Sequence, residues 1–244
     1  ITEASGLVHS RQNDDIFWTH NDFDESGVAN SNTIYAFNQD GLNIGEWTLT
    51  NLPMNQRDWE DIATDNNGNL YIGEIGDNGR NYGTKFIYKC PEPDLSNLGS
   101  MGIQCTSYEF KYNDTIKHDA ETLMVDLNGD IYIITKHPIG TSGKSKVFKL
   151  GVDTISNTEI NEAELIMELD TFPGDSNRNQ VTGGDISSNG SKILVLTYEK
   201  MFYYERLSSE TIQDALSKEP EEVTYNKEHP LEQGEAVAWS SNGN

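Results

Sequence analysis

Residues 57–78 read RDWEDIATDNNGNLYIGEIGDN, and this stretch decides the fold. A carboxylate pair, Glu60-Asp61, opens a short apolar run, Asn67-Gly68 follows, and a second apolar run begins at Leu70. Asn-Gly between two apolar runs is typical of a tight hairpin turn, because both turn residues adopt a backbone conformation that Asn and Gly tolerate. The stretch therefore predicts two antiparallel strands.

The same pattern recurs along the chain. Glu121 and Glu235 are each followed by Asn-Gly seven positions later, as Glu60 is, and another Asn-Gly stands at Asn189. The chain start, EASGLV from Glu3, opens in the same way. Repeats therefore begin near positions 3, 60, 121, 181 and 235. Self-similarity at a period of this size indicates a repeat architecture.

The fourth repeat departs from the pattern at its first carboxylate. Seven positions before Asn189 stands Thr182, whereas the nearest carboxylate, Asp185, lies three positions later in VTGGD. Either Thr182 replaces the glutamate, or Gly183-Gly184 bulges the strand so that Asp185 turns inward.

The complete repeats each contain four strand-like runs, and the insertion 208–218 has the spacing of a short helix. Four strands per repeat without long helices are typical of a β-propeller, in which four-stranded blades surround a central channel. We therefore predict an all-β fold, with one propeller domain over residues 1–244. Five blades are expected, the fifth incomplete, so a further segment or a second chain is expected to complete it.

The amino-acid composition limits the kinds of partner that the chain is expected to bind. The chain carries 40 Asp and Glu against 17 Lys and Arg, a net charge of −23, which argues against nucleic acid and anionic membrane surfaces. No apolar run is long enough to span a membrane. Cys90 and Cys105 flank a loop between two strand-like runs, and a disulfide there would indicate an oxidising, extracellular setting. Sequons at Asn113 and Asn189 permit glycosylation, so secretion is expected.

The recurring carboxylates predict a cation site. The first strand of a propeller blade lines the channel, so the acidic residues that open the repeats are expected to meet at one end of it. Crowded like charges require a cation, protons or hydrogen bonds, and Ca²⁺ takes six to eight oxygen ligands. Calcium is therefore the predicted cofactor, and the candidate ligands are Glu3, Glu60, Glu121, Glu235 and Asp185. The alternative is that each glutamate accepts backbone N–H bonds from the adjacent blade and joins the blades together.

A second set of polar residues follows the second strands, at the same end of the channel. His20 is the candidate base or metal ligand, because its charge state changes near neutral pH. The loop that begins at Asp22 matches an EF-hand loop in part, but Thr33 stands at its twelfth position. A small-molecule or glycan ligand is expected at this mouth. The candidate ligand-binding residues are Asn21, Asp22, Glu74, Asp77, Asn78, Lys136 and Tyr198.

Several segments together resemble a family of secreted, mostly uncharacterised β-propeller proteins. They are EASGL at Glu3, THND with Ser26-Gly27, DWEDIA at Asp58, GEIGDN at Gly73, AETL at Ala120, VTGGD at Val181 and GEAVA at Gly234. More remotely, the chain is similar to calcium-dependent propeller hydrolases, namely esterase-like phytases, gluconolactonases and paraoxonases. That resemblance implies a channel-bound Ca²⁺ that polarises a lactone or a phosphoester. The motifs of those enzymes do not match residue by residue, so no catalytic position is carried over. The inserted Phe23-Asp24-Glu25 also departs from the nearer family.

The leading interpretation is an extracellular calcium-binding propeller. Its fold alone does not distinguish an enzyme from a non-catalytic binding module. As a hydrolase of lactone, ester or phosphoester bonds, it would have one pocket with an open cation position and a base beside it. As a non-catalytic module for glycans or proteins, or as a subunit of a larger secreted assembly, it would have shallow, repeated sites or a contact between chains.

Overall fold

The secondary structure consists of strands and one short helix. The computed structural model describes residues 1, 3–22, 32–53, 57–96, 102–137, 144–169, 179–223, 234–241 and 243. The strands are β1 Ala4–His9, β2 Ile16–Asn21, β3 Thr33–Asn38, β4 Asn43–Thr50, β5 Trp59–Thr64, β6 Asn69–Glu74, β7 Lys85–Pro91, β8 Ile103–Gln104, β9 Thr106–Tyr112, β10 Ala120–Val125, β11 Ile131–Thr135, β12 Ser145–Leu150, β13 Asn161–Leu169, β14 Val181–Ile186, β15 Lys192–Thr197, β16 Met201–Glu205 and β17 Glu221–Val223. The helix is α1, Ile212–Leu216. The predicted all-β class is therefore confirmed.

The strands form four-stranded antiparallel meanders, which we call blades. Within the described residues, blade one is β1–β4, blade two is β5, β6, β7 and β9, blade three is β10–β13, and blade four is β14–β17. Four-stranded meanders with short connections are the building unit of propeller-like folds. The predicted count of four strands per repeat is confirmed for these blades.

The Asn-Gly turns join the first two strands of blades two, three and four. Gly68, Gly129 and Gly190 have φ values of 75°, 89° and 71°, in the left-handed region that glycine adopts without steric cost. In blade two the Asp65 carboxylate also accepts hydrogen bonds from the backbone N–H groups of Asn67 and Asn69. Local sequence therefore determines these turns.

The hydrophobic core lies between blades. One cluster joins Trp18 and Trp47 of blade one to Trp59 and Tyr88 of blade two, and the other two clusters join blade two to blade three and blade three to blade four. A single blade is too thin to bury its own apolar faces, so it buries them against its neighbours. This packing explains why the pattern repeats along the sequence.

The first strands lie side by side. β5 lies between β1 and β10, and β14 lies on the other side of β10. Residues 234–240 follow the edge of β14: the Trp239 N–H donates to the Asp185 carboxylate (2.8 Å), and the Thr182 hydroxyl donates to the Gly234 carbonyl (2.5 Å). The first strands of successive repeats therefore lie next to one another.

Blades one to three are also joined by main-chain pairing. β13 of blade three pairs in parallel with β9 of blade two, and the short strand β8 pairs in parallel with β4 of blade one. The predicted disulfide between Cys90 and Cys105 is present, with an S–S distance of 2.04 Å. In the part of the chain that the structure describes, no strand of blade four pairs with another blade.

The predicted insertion helix is present in blade four. Thr211 caps it and Asp214 completes a capping box, while Ile212, Ala215 and Leu216 are buried. The cap is Thr211 rather than Ser208, the first residue of the insertion, because the helix begins at Ile212. No helix among the described residues is long and apolar enough to cross a membrane.

Candidate metal centre

Each first strand carries a bulge near its start. The register shifts at Gly6 in β1, Glu60 in β5, Glu121 in β10 and Thr182 in β14. A bulge inserts one unpaired residue and re-aims its side chain. The bulge therefore explains why the glutamate keeps a constant spacing from the Asn-Gly turn.

The bulges change which residues of blades one and four correspond to Glu60 and Glu121. In blade one the bulge is at Gly6, seven positions before Asn13. Glu3, which was predicted to occupy this position, lies before β1 and is exposed. A side chain at Gly6 would not fit, because a Cβ atom there would lie 2.8 Å from both the Ile62 nitrogen and His20 Nε2. In blade four the bulge is at Thr182, so of the two open alternatives Thr182 is the counterpart of the glutamates.

Five carboxylates meet where the first strands of blades two and three begin. They form two groups, Asp22–Asp58–Glu60 and Glu60–Asp119–Glu121, and in each group one oxygen per residue lies within 4.8 Å of the others. Glu60 belongs to both groups. Asp22 follows the second strand of blade one, so the cluster is built by three blades.

Glu60 is the centre of this cluster. Its side chain is only 4% exposed, and among the described residues no hydrogen-bond donor or ion-pair partner reaches its carboxylate. The glycine at position 76 makes room for it, since a Cβ atom there would lie 2.1 Å from Glu60 Oε1 and 2.5 Å from Asp58 Oδ2. A buried carboxylate without a donor is costly, so Glu60 requires a compensating group.

The other buried carboxylates of the cluster each have a donor. Asp119 accepts a hydrogen bond from the Asp77 backbone N–H at 2.7 Å, and Glu121 forms an ion pair with Lys136 at 2.6 Å. The Lys136 ammonium also lies 5.1 Å from the centre of the Tyr198 ring. Within the described ranges, the fold therefore places donors beside Asp119 and Glu121 and not beside Glu60.

The pKa values of three carboxylates of the cluster, Asp58, Glu60 and Glu121, are raised. Burial and then the neighbouring carboxylates of Asp22 and Asp119 raise the pKa of Asp58 to about 7. Burial raises the pKa of Glu121 to about 7 despite the Lys136 ammonium, and burial together with Glu121 and Asp58 raises the pKa of Glu60 well above its ordinary value. Protons or a cation must therefore balance the cluster at neutral pH.

The remaining predicted metal ligands lie outside both groups. The Glu235 carboxyl interacts electrostatically with Lys136, Asp22 and Glu3, and burial raises its pKa. Asp185 lies three residues beyond the bulge of its strand and accepts the Trp239 N–H. Glu3, Glu235 and Asp185 are therefore members of neither group.

His20 is fully buried beside the cluster. Its ring packs edge-on against Trp59 with the ring centres 5.6 Å apart, and its Nδ1 atom lies 3.1 Å from the Asn21 carbonyl oxygen. Burial lowers the pKa of His20 to about 4, so the imidazole is neutral at physiological pH. Its role as a base stays a prediction.

The predicted ligand-binding loop after β6 is stabilised by its own hydrogen bonds and ion pairs. Asp77 accepts hydrogen bonds from the backbone N–H groups of Asn81 and Tyr82 and forms a buried ion pair with Lys85 at 3.1 Å. Glu74 is also buried and pairs with Arg57 at 2.9 Å. Both carboxylates therefore hold the wall of the cluster in place, whereas Asn78 is exposed.

Asn21 and Asp22 lie at the end of β2 and are half-buried. The rest of the EF-hand-like segment, residues 23–27, lies outside the described residues. Tyr198 is half-buried and lies beside Lys136. These residues line the solvent side of the cluster together with Asp58, which is also half-buried.

The sequence reasoning missed Asp58 and Asp119 as members of the cluster. Both stand two positions before a bulged glutamate, in Asp58-Trp59-Glu60 and Asp119-Ala120-Glu121. In both repeats the aspartate and the glutamate belong to the same carboxylate group. A recurring Asp-x-Glu was therefore the signal that could have found them.

Comparisons with known proteins are limited to solved structures. No family model matches the chain, and no curated protein is significantly similar to it. A functionally unknown protein from Desulfotomaculum acetoxidans DSM 771 is 12% identical, with a TM-score of 0.41 over 84% of this chain and 52% of that one. The β-propeller domain of Cps50 (Swd1) from Myceliophteria thermophila is 10% identical, with a TM-score of 0.40 over 80% of this chain and 50% of that one. The chain spans about half the length of each.

Proposed function

We propose that this chain is an extracellular calcium-binding β-propeller whose cation is held at the channel mouth. The five carboxylates centred on Glu60 would be its ligands. The observation that carries the proposal is the Glu60 side chain, which is buried among four other carboxylates and has no donor among the described residues. A divalent cation is the group that compensates such an arrangement best.

The alternative role for the glutamates, joining adjacent blades, is filled by other residues. Asp61 accepts the Leu123 backbone N–H of the next blade at 2.8 Å, and Asp185 accepts the Trp239 N–H at 2.8 Å. Aspartates therefore make the contacts between first strands. This leaves the bulged glutamates, which point to the mouth, for a different purpose.

The chemistry of the donors favours calcium over other metals. All five candidate ligands are carboxylates, which suit hard cations, and neither group contains a sulfur or nitrogen donor. Calcium accepts irregular sets of six to eight oxygens, whereas magnesium demands a near-ideal octahedron. Asp22 and Asp58 are only half-buried, so the open side of the cluster faces solvent.

Two further observations support an extracellular protein with five blades. The Cys90–Cys105 disulfide fits an oxidising compartment, and the sequon residues Asn113 and Asn189 are both exposed. Residues 234–240 follow the edge of β14 as the first strand of a fifth blade would. Further strands, from this chain or from a second chain, would complete that blade.

A calcium-dependent hydrolase of lactone, ester or phosphoester bonds is the catalytic form of this proposal. The open side of the cluster favours it, because five carboxylates leave at least one calcium position for a substrate oxygen. A bound cation would polarise that oxygen, while Lys136 and Tyr198 flank the mouth. His20 remains the candidate base.

Calcium binding can be tested by isothermal titration after chelator treatment. We expect the chain to bind Ca²⁺ and the Glu60→Gln variant to lose binding by at least about 100-fold, since the central ligand is removed. The matched control is Glu164→Gln, which changes an exposed glutamate of β13. Absence of binding in the unmodified chain, or equal binding in the Glu60→Gln variant, would contradict the proposal.

Catalysis is tested separately with chromogenic ester, lactone and phosphomonoester substrates. We expect turnover of one class in calcium, none in chelator, and none in the Glu60→Gln variant. Calcium binding without turnover of any substrate would favour the non-catalytic alternative, a module that binds glycans or proteins at the same mouth.

A further inference from the structure

The two bulged glutamates of the cluster are compensated differently. Among the described residues no donor or ion-pair partner reaches the Glu60 carboxylate, although the Lys85 ammonium interacts electrostatically with the neighbouring Asp58. The Glu121 carboxylate, by contrast, lies 2.6 Å from the Lys136 ammonium. Lys136 therefore supplies a fixed positive charge to Glu121 that Glu60 does not receive.

The Lys136 side chain is held in this position by burial and by its contacts. Its side chain is only 10% exposed, and it extends from the end of β11 to a glutamate on the neighbouring strand β10. The Tyr198 ring of blade four lies 5.1 Å from the ammonium, and the backbone of Tyr198 in turn accepts a hydrogen bond from Gly234 at 3.2 Å. Lys136 thus touches residues of two blades.

The ammonium competes directly with a metal ion. Glu121 is a member of the second carboxylate group, so a cation there would share this carboxylate with Lys136. Lys136 also interacts electrostatically with Glu235. A fixed positive charge at this distance repels a divalent cation and weakens its binding.

We propose that the Lys136 ammonium acts as a fixed positive charge beside Glu121. It limits the carboxylate cluster to a single calcium ion that binds with moderate affinity. This inference rests on the proposed function. It assigns Lys136 a positioning role: the residue shares the Glu121 carboxylate with the calcium ion and directs the ion towards Glu60.

The test compares Lys136→Met with Lys111→Met, which removes an exposed lysine paired with Glu162. In calcium titrations we expect Lys136→Met either to bind at least about tenfold more tightly or to take up a second ion, because the competing charge is gone. In chelator we expect Lys136→Met to melt at a lower temperature than Lys111→Met, and calcium to restore its stability. Lys136→Arg keeps the charge and should bind one ion with the original affinity.

A purely structural role for Lys136 would weaken calcium binding together with stability. Unchanged or weaker binding in a folded Lys136→Met variant would therefore overturn the inference, as would a gain in binding in Lys136→Arg. If Lys136→Met does not fold, Lys136→Gln repeats the test, since its amide still donates to Glu121. If the unmodified chain binds no calcium, the proposed function fails. Melting in chelator then still decides whether Lys136 compensates the acids.

Discussion

Replacing Glu60 by glutamine should have opposite effects on stability with and without calcium. The side chain is 4% exposed, lies among four carboxylates and has no donor among the described residues. In the absence of metal, the charge is therefore a destabilising feature, and a neutral amide of the same shape relieves it. An uncompensated buried polar group costs about 1–3 kcal/mol, and a charged group costs more. We expect Glu60→Gln to stabilise the calcium-free chain by about 1–3 kcal/mol.

The expected shift is measurable by thermal melting. For a chain of this size, about 1 kcal/mol corresponds to about 2–4 °C in melting temperature. Calcium at about 1,000 times its dissociation constant should stabilise the unmodified chain by about 4.1 kcal/mol and the variant by almost nothing. The order of the two melting temperatures should therefore reverse between chelator and calcium.

Circular dichroism melts in chelator and in calcium test this, with Glu164→Gln as the exposed control. A variant that melts lower than the unmodified chain in chelator would show that Glu60 has a stabilising partner. Equal calcium shifts in the variant and the unmodified chain would show that Glu60 is not a ligand. Either result would refute the reasoning.

Three further outcomes are expected. Gly76→Ala should weaken calcium binding by at least about tenfold and destabilise the fold by about 1–3 kcal/mol, because its Cβ would lie 2.1 Å from Glu60 Oε1; titration and melting would show it, and wild-type affinity would contradict it. The calcium-free chain should gain stability as the pH falls from about 8 to about 5, because the folded pKa values of Asp58 and Glu121 (about 7) exceed their unfolded values, so that folding takes up protons. Melts across this range should show a rising midpoint in chelator and little change in saturating calcium, and a midpoint that falls steadily would refute the assignment. Reducing Cys90–Cys105, which closes a loop with a sequence separation of 15, should cost about 3 kcal/mol, measured by denaturant unfolding with and without reductant, and no loss would contradict that estimate.

The local parts of this fold can be predicted from the sequence. Asn67-Gly68 and its counterparts determine the hairpin turns through backbone preference, and the constant distance from Glu60 to Asn67 reflects a bulge at a fixed height in the first strand. These signals act over a few residues. They therefore appear in the sequence without knowledge of the remainder of the molecule.

The bulge position in the first strand of blade one could not be predicted from its acidic residue, Glu3. Glu3 opens a segment like that of the other repeats, but Gly6 takes the bulge position because β5 passes too close for a side chain. That constraint comes from a neighbouring blade. Counting seven positions back from Asn13 would have found Gly6, whereas matching acidic residues did not.

The compensation of charge depends on neighbours that are distant in sequence. Glu60 and Glu121 occupy equivalent positions in their strands, yet in the part of the chain that the structure describes only Glu121 forms an ion pair with a lysine. The difference arises from Lys136 at the end of β11, for which blade two has Ile75 at the same offset from its glutamate. The sequence predicted that carboxylates would gather, but it did not predict which of them would lack a donor.

The main-chain pairing that joins blades one, two and three has a consequence for local opening. All five clustered carboxylates stand on these three blades, whereas blade four shares no strand pairing with them among the described residues. Transient opening follows the boundaries with the fewest backbone bonds. Amide hydrogens of blade four should therefore exchange with solvent before those of the other blades. The chain can loosen at its fourth blade while the geometry around Glu60 stays unchanged.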